Sequence, residues 1–255
     1  MLKKLTIALF VVILIIASSA CTTTRQEAPA EAPSDEPIHE IMIKTIDSQL
    51  VYILPPYTTD GIMSVEAALA SRRSRRNFQD KPISASQLSQ LLWAAYGITL
   101  PDSPHFNVGL RTTPSAGALY PLEIYVIIGN MEGIEPGVFR YIPEEHWLIR
   151  VIDGDVREEL SAAALGQRSV LDAPVSIFYS AVFSRMTRQY GERGILYAYI
   201  ELGHSAQNVY LQAEALGLGT VAVGAFRDAR VRQILNLPDN EEPLYIMPVG
   251  YVYGD

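Results

Sequence analysis

Apolar residues recur at helical and strand spacings from about residue 41 onward, which predicts a folded region there. Helical spacing predicts helices over residues 64–71, 84–96, 155–165, 194–216 and 228–235. Runs rich in β-branched and aromatic residues predict strands over residues 123–129, 139–142, 147–152, 175–182, 220–223 and 244–252. Because helices and strands do not alternate strictly, the pattern predicts a single α+β domain.

Local signals support several of these helix boundaries. Ser84 and Gln87 form a capping box at the start of the second helix, and Gly97 marks its end. Gly217 is placed to stop the long helix, and Asp228 is expected to cap the last one.

The first residues of the chain have a different composition from the rest. Lys3 and Lys4 precede an unbroken apolar run over residues 5–16, and small residues follow at 17–20. This order is typical of a bacterial signal peptide over residues 1–20. An uncleaved N-terminal anchor is the alternative, although the apolar run is short for a membrane span.

Cys21 is the only cysteine of the protein and lies at the expected cleavage site. It cannot form an internal disulfide, and its position favours lipidation of a new N-terminus. Ordinary cleavage after Ala20 is the alternative, since Ser18 stands where lipoprotein signals usually carry Leu. Residues 21–40 are rich in Pro, Ala and acidic side chains and predict a disordered tether. The expected protein is an extracytoplasmic domain, residues 41–255, anchored to the membrane by an N-terminal lipid.

The overall composition is acidic, with a formal net charge of -8 and 49% apolar residues. An acidic surface repels a phosphate backbone, so nucleic acid is not an expected partner. The sequence also lacks the Gly-x-Ser-x-Gly, His-Glu-x-x-His, Walker and Gly-x-Gly-x-x-Gly motifs. Serine hydrolase, zinc protease and Rossmann chemistry therefore have no support.

An arginine cluster follows the first predicted helix and reverses the charge of the chain locally. It consists of Arg72, Arg73, Arg75 and Arg76, four guanidinium groups within five residues. Arginine is the side chain best shaped to bind phosphate oxygens through paired hydrogen bonds, so the cluster indicates a small anionic partner. A solvated basic turn after a helix is the alternative.

A second segment, Pro114-Ser115-Ala116-Gly117, has almost no side-chain bulk. A planar ligand could lie directly against such a backbone, although a tight turn before the next strand is the simpler explanation. If the arginine cluster binds a phosphate and this segment binds a ring, the two together point to a bound flavin.

Three ordered motifs strengthen this interpretation by their resemblance to a known family. They are Arg-Arg-Ser-x-Arg-x-Phe at 72–78, Pro-Ser-Ala-Gly-x-x-Tyr-Pro at 114–121 and Gly-Leu-Gly-Thr-Val-x-Val-Gly-Ala-Phe at 217–226. Together they resemble the FMN-dependent nitroreductase superfamily, and within it the SagB/ThcOx-type dehydrogenase branch, which includes enzymes that oxidise azolines in modified peptides. The resemblance extends from about residue 64 to residue 251. It implies a three-layer fold, with a central mixed sheet wrapped by helices, and an intertwined homodimer.

The resemblance also implies which residues contact FMN, and it leaves Arg75 out because the family tolerates many residues there. The implied cofactor-binding residues are Arg72, Arg73, Ser74, Arg76, Pro114, Ser115, Ala116, Gly117, Gly224 and Ala225. Gly224 and Ala225 match the place where the family's backbone meets the flavin N5 edge. A glycine that merely ends a strand is the alternative at Gly224.

Tyr190 is the candidate catalytic residue. The azoline-oxidising enzymes carry a Lys-Tyr pair in the matching region, and here Gln189 stands in place of the Lys. Because Gln cannot act as a general base, this replacement argues against the peptide-modifying reaction. Tyr190 could bind or protonate a substrate, or it could be a surface tyrosine in a loop.

Glu201 and His204 form one Glu-x-x-His pair, which is half of a di-iron carboxylate site. No second pair occurs, so no metal is expected, and the resemblance assigns this stretch to a polar packing helix. The expected function is an FMN-dependent oxidoreductase that transfers hydride to or from a small organic substrate. An azoline dehydrogenase acting on a modified peptide and a non-catalytic, lipid-anchored flavin-binding protein are the alternatives.

Overall fold

The computed structural model describes residues 40–253, except residues 105 and 107. The described elements belong to one compact unit, Pro37–Asp255. The predicted signal peptide, Cys21 and nearly all of the predicted tether lie outside the described residues. Within residues 40–253, no helix combines the length and the hydrophobicity that a membrane span requires.

A large antiparallel sheet forms the centre of the unit, in the strand order β1-β2-β7-β6-β5-β8-β10-β9. A separate two-stranded sheet joins β3 to β4. The strands are β1 (Met42–Ile46), β2 (Gln49–Ile53), β3 (Ile98–Leu100), β4 (Leu110–Arg111), β5 (Leu122–Ile128), β6 (Gly137–Ile142), β7 (Trp147–Asp153), β8 (Val175–Ala181), β9 (Gly219–Thr220) and β10 (Glu242–Gly250).

Helices cover both faces of this sheet. They are α1 (Val65–Ser71), α2 (Ala85–Tyr96), α3 (Arg157–Ala163), α4 (Arg168–Asp172), α5 (Phe183–Tyr190), α6 (Arg193–Ala215) and α7 (Asp228–Ile234). A single 3-10 turn, Ala116–Ala118, lies within the small-residue segment.

The central strands are buried on both sides because each side packs against a helical layer. In β5, Ile124 and Val126 belong to the core shared with α2 and α6, whereas Tyr125 and Ile127 belong to the core shared with α3 and α7. All seven residues of β5 and of β8 are buried. This explains why these strands read as continuous apolar runs rather than as alternating ones.

The α+β class, the three layers and the main helices and strands are confirmed. The expectation of a mixed sheet is wrong in one respect, since every strand pair described is antiparallel. Parallel pairing occurs only in isolated bridges, of which Ser74 with Thr220 is one. The strand predicted over 220–223 is also shorter than expected, because the Ala222 N–H donates to the Tyr210 hydroxyl instead of to a neighbouring strand.

Asp228 does not cap α7. Arg227 occupies the N-cap position without a side-chain hydrogen bond, and Asp228 lies inside the first turn, where its charge favours the helix dipole. The capping box of Ser84 and Gln87 is present as predicted, and Gly97 ends α2.

His146 is held in a network at the turn between β6 and β7. The Ser89 hydroxyl donates to the carbonyl of Pro55 at 2.6 Å, so its oxygen accepts from Nε2 of His146 at 2.7 Å. Nδ1 is then the unprotonated nitrogen and accepts from the Tyr141 hydroxyl at 2.8 Å. Burial lowers the pKa of His146 to about 4, because the charged imidazolium would lose hydration, and the backbone carbonyl of Pro55 acts weakly in the opposite direction.

We predict that His146 lowers the free energy of unfolding of the domain as the pH becomes acidic. With a folded-state pKa of about 4 against an unfolded value near 6.5, its contribution is complete above pH 6.5 and is lost as the pH falls to 4. At pH 7, His146→Gln should lower the free energy of unfolding by about 1–2 kcal/mol through lost hydrogen bonds. Between pH 7 and pH 4, the free energy of unfolding of the wild type should fall by about 3 kcal/mol more than that of the variant. Denaturant unfolding at both pH values measures this.

The matched control is His204→Gln, which replaces an exposed imidazole on α6. A difference between wild type and His146→Gln that stays the same at pH 7 and pH 4 would contradict the prediction.

Candidate functional site

The arginine cluster begins where α1 ends and is fixed against the edge of the large sheet. Arg72 is the C-cap of α1, and its N–H donates to the Ala68 carbonyl at 2.9 Å. Two residues later, Ser74 forms a parallel bridge with Thr220, and the Arg75 N–H donates to the Thr220 carbonyl at 2.9 Å. The backbone of the cluster is therefore held beside β9.

Three guanidinium groups of this cluster have no carboxylate partner among residues 40–253. Arg73 donates to the carbonyls of Ala70 and Arg72, and Arg76 donates to the carbonyl of Ser74. Arg72 lies over the ring of Tyr210, with 5.2 Å from Cζ to the ring centroid. Since these partners carry no charge, the positive charges remain available to an anion.

Tyr210 of α6 joins the arginine cluster to the segment that contains Gly224 and Ala225. Its hydroxyl accepts from the Ala222 N–H at 2.8 Å and lies 3.2 Å from Oγ of Ser74. Gly224 and Ala225 follow after Val223 and are exposed. We call this assembly the arginine half-site, comprising Arg72, Arg73, Ser74, Arg76, Tyr210, Gly224 and Ala225.

The small-residue segment lies elsewhere, beside α5 and the first half of α6. Gly117 has a φ of 64°, and a Cβ atom added to it would lie 2.7 Å from the Tyr190 hydroxyl. Both the backbone conformation and the close approach require glycine. We call Pro114–Gly117 together with Tyr190 the small-residue half-site. Tyr190 is the last residue of α5 rather than part of a loop, and it packs edge-to-face on Tyr197.

Hydrogen bonds from α6 fix the chain that enters the small-residue half-site. The Asn208 amide donates to the Thr112 carbonyl and to Oγ1 of Thr113. The Thr113 hydroxyl in turn donates to the Ala95 carbonyl of α2. These hydrogen bonds thus join the loop to α2 and to α6 directly before Pro114.

The two half-sites are separated along α6. Tyr197 lines a cavity with Pro114–Ala116, whereas Tyr210 contacts the arginine cluster. The cavity extends along α6 as far as His204, which precedes Tyr210 by six residues, or about 9 Å along a helix axis. Among the described residues, no hydrogen bond or ring contact joins the two half-sites within one chain.

Glu201 also lies in this region, although its sequence context predicts only a polar packing helix. Its side chain is buried on α6, and one carboxyl oxygen, Oε1, accepts from the Tyr96 hydroxyl. Burial raises the pKa of Glu201 to about 7, while the hydroxyls of Ser115 and Tyr96 and the charge of Arg111 act in the opposite direction. No spacing rule could indicate this group, because residues 96, 111 and 201 meet only in the folded chain.

Arg111 was also missed. Its guanidinium lies between the rings of Tyr96 and Tyr120, with 4.3 and 4.6 Å from Cζ to the ring centroids, and it forms a 2.6 Å ion pair with Glu144. This stacking places a positive charge close to the small-residue half-site. His204 lines the same cavity as Glu201, but within the described residues no group of three His, Cys, Asp or Glu side chains could hold a metal ion.

Comparisons with known proteins agree with this architecture. Residues 69–251 match the Nitroreductase family. A protein of Methanocaldococcus jannaschii named as a nitroreductase is 47% identical over 188 residues, which cover 74% of this chain and 91% of that protein. The microcin B17-processing protein McbC of Escherichia coli is 28% identical over 186 residues, covering 70% of this chain and 66% of McbC. A crystal structure of a Ralstonia eutropha protein described as a nitroreductase superimposes with a TM-score of 0.69 at 27% identity, covering 86% of this chain and 99% of that one.

Proposed function

Because this chain belongs to the nitroreductase family, we propose that it is an FMN-dependent oxidoreductase acting on a small organic substrate. The observation that carries the proposal is the arginine half-site. Three guanidinium groups without a carboxylate partner in the described chain extend from a backbone held against Thr220, and Tyr210 links Ser74 of this cluster to Ala222, two residues before the exposed Gly224. A ligand that carries an anionic group is the ligand that this arrangement fits.

The residues of the two half-sites fit FMN in different ways. Arg72, Arg73 and Arg76, with the Ser74 hydroxyl, would hold the phosphate through charge-assisted hydrogen bonds. Pro114–Gly117 would lie along the isoalloxazine ring, since the positive φ of Gly117 and its contact with Tyr190 exclude a side chain there. The exposed backbone at Gly224 and Ala225 would face the N5 edge. When bound, the flavin supplies the hydride chemistry, and the protein supplies orientation and electrostatics.

The separation of the half-sites supports a homodimer. Within the described part of one chain, no hydrogen bond or ring contact joins them, so a second copy would complete each site by placing its small-residue half-site against the first copy's arginine half-site. The outer face of α6 supports this arrangement. Ile195, Leu196, Tyr199 and Ile200 are 37–50% exposed there, an apolar patch of the kind that marks an interface.

The cofactor proposal predicts that FMN binds non-covalently and depends on the arginine half-site. Replacing Arg72 and Arg76 together by Gln should weaken FMN binding about 100-fold or more, because each charge-assisted hydrogen bond is worth about 1.5–3 kcal/mol. Quenching of FMN fluorescence on titration measures the affinity. A wild-type protein that remains colourless and quenches no FMN would contradict the proposal.

The matched control for this experiment is Lys44→Gln combined with Lys81→Gln. It removes the same net charge from exposed positions on β1 and in the loop before α2, outside the residues proposed to contact FMN. An equal loss of affinity in both double variants would show a general charge effect instead of a phosphate site.

The dimer proposal predicts that placing charges in the apolar patch on α6 strongly weakens FMN binding. Leu196→Glu with Tyr199→Glu should convert a dimer into a monomer in sedimentation at micromolar concentration. FMN affinity should fall by more than about 100-fold, since several contacts of about 1 kcal/mol each are lost with the partner. The control is Ile43→Glu with Leu50→Glu, which places the same charges on the equally exposed β1–β2 hairpin. A monomeric variant with wild-type FMN affinity would show that one chain builds the site alone.

The similarity to McbC favours a second candidate, an azoline dehydrogenase acting on a modified peptide. Tyr190 beside Gly117 supports it, because a tyrosine at the ring-facing segment could bind a substrate. Gln189 opposes it, since its amide cannot remove the proton that azoline oxidation releases. A flavin-binding protein without turnover is the remaining alternative.

The lipid anchor at Cys21 and the extracytoplasmic location stay predictions from the sequence.

A turnover experiment separates these candidates. We expect the flavin-loaded protein, reduced by light without oxygen, to be reoxidised by a nitroaromatic compound or a quinone. Conversion of a thiazoline peptide to its thiazole form by the oxidised protein would instead establish the peptide-modifying function. Failure of every acceptor to reoxidise the bound flavin would favour the binding protein and would contradict both enzymatic proposals.

A further inference from the structure

Glu201 is a buried carboxyl that is only partly satisfied by the protein. Its relative exposure is 2%, and Oε1 accepts from the Tyr96 hydroxyl. The second oxygen, Oε2, is buried and has no hydrogen-bond partner among the described residues. A buried carboxyl oxygen without a partner is costly, so its position indicates that another group meets it.

Glu201 lines a cavity of about 260 Å³ that it shares with the small-residue half-site. The other lining residues are Pro114, Ser115, Ala116, Tyr197, Ile200 and His204. His204 is exposed and lies outside the apolar patch on α6, so it places this cavity at the protein surface. The volume is large enough for several water molecules, at about 30 Å³ each, or for a small polar group.

Two hydroxyl groups lie beside the carboxyl, and a backbone N–H already donates to the oxygen of each. The Leu122 N–H donates to the Tyr96 oxygen at 3.3 Å, so the tyrosine proton is the one given to Glu201. The Tyr120 N–H donates to Oγ of Ser115 at 3.0 Å, which leaves the serine proton free to point into the cavity. Both hydroxyls stabilise the carboxylate, whereas burial favours the neutral acid.

The charged and titratable groups around Glu201 come from each element packed against it. Tyr96 belongs to α2, Arg111 to β4, and Tyr120 follows the 3-10 turn, while Tyr197 and His204 lie one turn away on α6 itself. Burial is the largest influence and outweighs Ser115, Tyr96 and Arg111, so the pKa of Glu201 lies at about 7. A carboxyl in this state can both give and take a proton at neutral pH.

Resting on the proposed oxidoreductase function, we propose that Glu201 stores a proton for the small-residue half-site and exchanges it across the cavity with the molecule bound against Pro114–Ala116. Reduction of a quinone to the hydroquinone takes up one hydride, supplied by a reduced flavin, and one proton. Reduction of a nitro group to a nitroso group takes up the same two and releases water when the N–O bond breaks. The O–H bond of Glu201 breaks, a new O–H bond forms on the acceptor oxygen, and Glu201 remains as a carboxylate. Solvent then returns a proton through the opening at His204. The oxidation of a substrate runs through the same steps in reverse.

The first test needs no flavin and no turnover. Infrared difference spectroscopy of the flavin-free protein should show a protonated carboxyl that titrates near pH 7. This band should be absent in Glu201→Gln, which keeps an oxygen to accept from Tyr96, and present in Glu158→Gln, an exposed glutamate on α3. Tyr96→Phe removes one donor to the carboxylate, so the band should titrate at higher pH. A spectrum without a near-neutral carboxyl, or one that Glu201→Gln leaves unchanged, overturns the proposal.

The second test uses the flavin-loaded protein and the pH profile of acceptor reduction. The wild-type rate should fall as the pH rises through about 7, and Glu201→Gln should reduce the rate about 100-fold and remove this dependence while FMN affinity stays unchanged. Glu201→Asp should restore part of the rate together with a pH dependence. If Glu201→Gln retains the wild-type profile, the proposal is wrong. If no acceptor is reduced at all, the oxidoreductase function fails, and the infrared titration alone decides whether Glu201 holds the proton.

Discussion

The rigid spacing along α6 is the constraint on which the proposed site depends. This one helix of 23 residues contacts the arginine cluster through Tyr210 and lines the cavity of the small-residue segment through Tyr197 and Glu201. Because both half-sites are attached to the same helix, its backbone sets the spacing between them. The same helix carries the exposed apolar patch that would bring a second copy into place. In the proposed dimer, assembly and cofactor binding are therefore coupled through one element.

The position of α6 is fixed in turn by the sheet and by α2. The Ser205 hydroxyl donates to the Ala95 carbonyl at 2.7 Å and also lies 2.9 Å from the buried Tyr179 hydroxyl of β8. Asn208, one turn further on, holds Thr112 and Thr113 before the small-residue segment. These buried polar contacts tolerate little displacement, because each lost hydrogen bond would leave a buried polar group without a partner. The backbone of Pro114–Gly117 thus takes its position from the core.

Much of the fold could be predicted from the sequence, and the failures have local causes. The capping box of α2 and the apolar runs of β5 and β8 are strong signals, and all three were confirmed. The hairpin of β1 and β2 was missed because its turn residues, Asp47 and Ser48, adopt positive φ without the glycine that usually marks such a turn. Helix α5 was missed because Val182 at its N-cap provides no capping side chain. For the candidate site, motifs identified the residues of both half-sites, but the burial of Glu201 beside Tyr96 and Arg111 arises only from tertiary packing.

The buried carboxyl of Glu201 also affects the pH range in which the domain is stable. Its folded-state pKa is raised to about 7, so the stability it contributes is complete below its unfolded value near 4.5 and is lost as the pH rises through 7. His146 acts in the opposite sense, since its contribution is lost in acid. Stability is therefore limited from both sides by two groups that lie in different parts of the domain. An uncharged side chain at position 201 would widen this pH range on the alkaline side. The proposed proton exchange therefore requires a side chain that lowers the stability of the fold at alkaline pH.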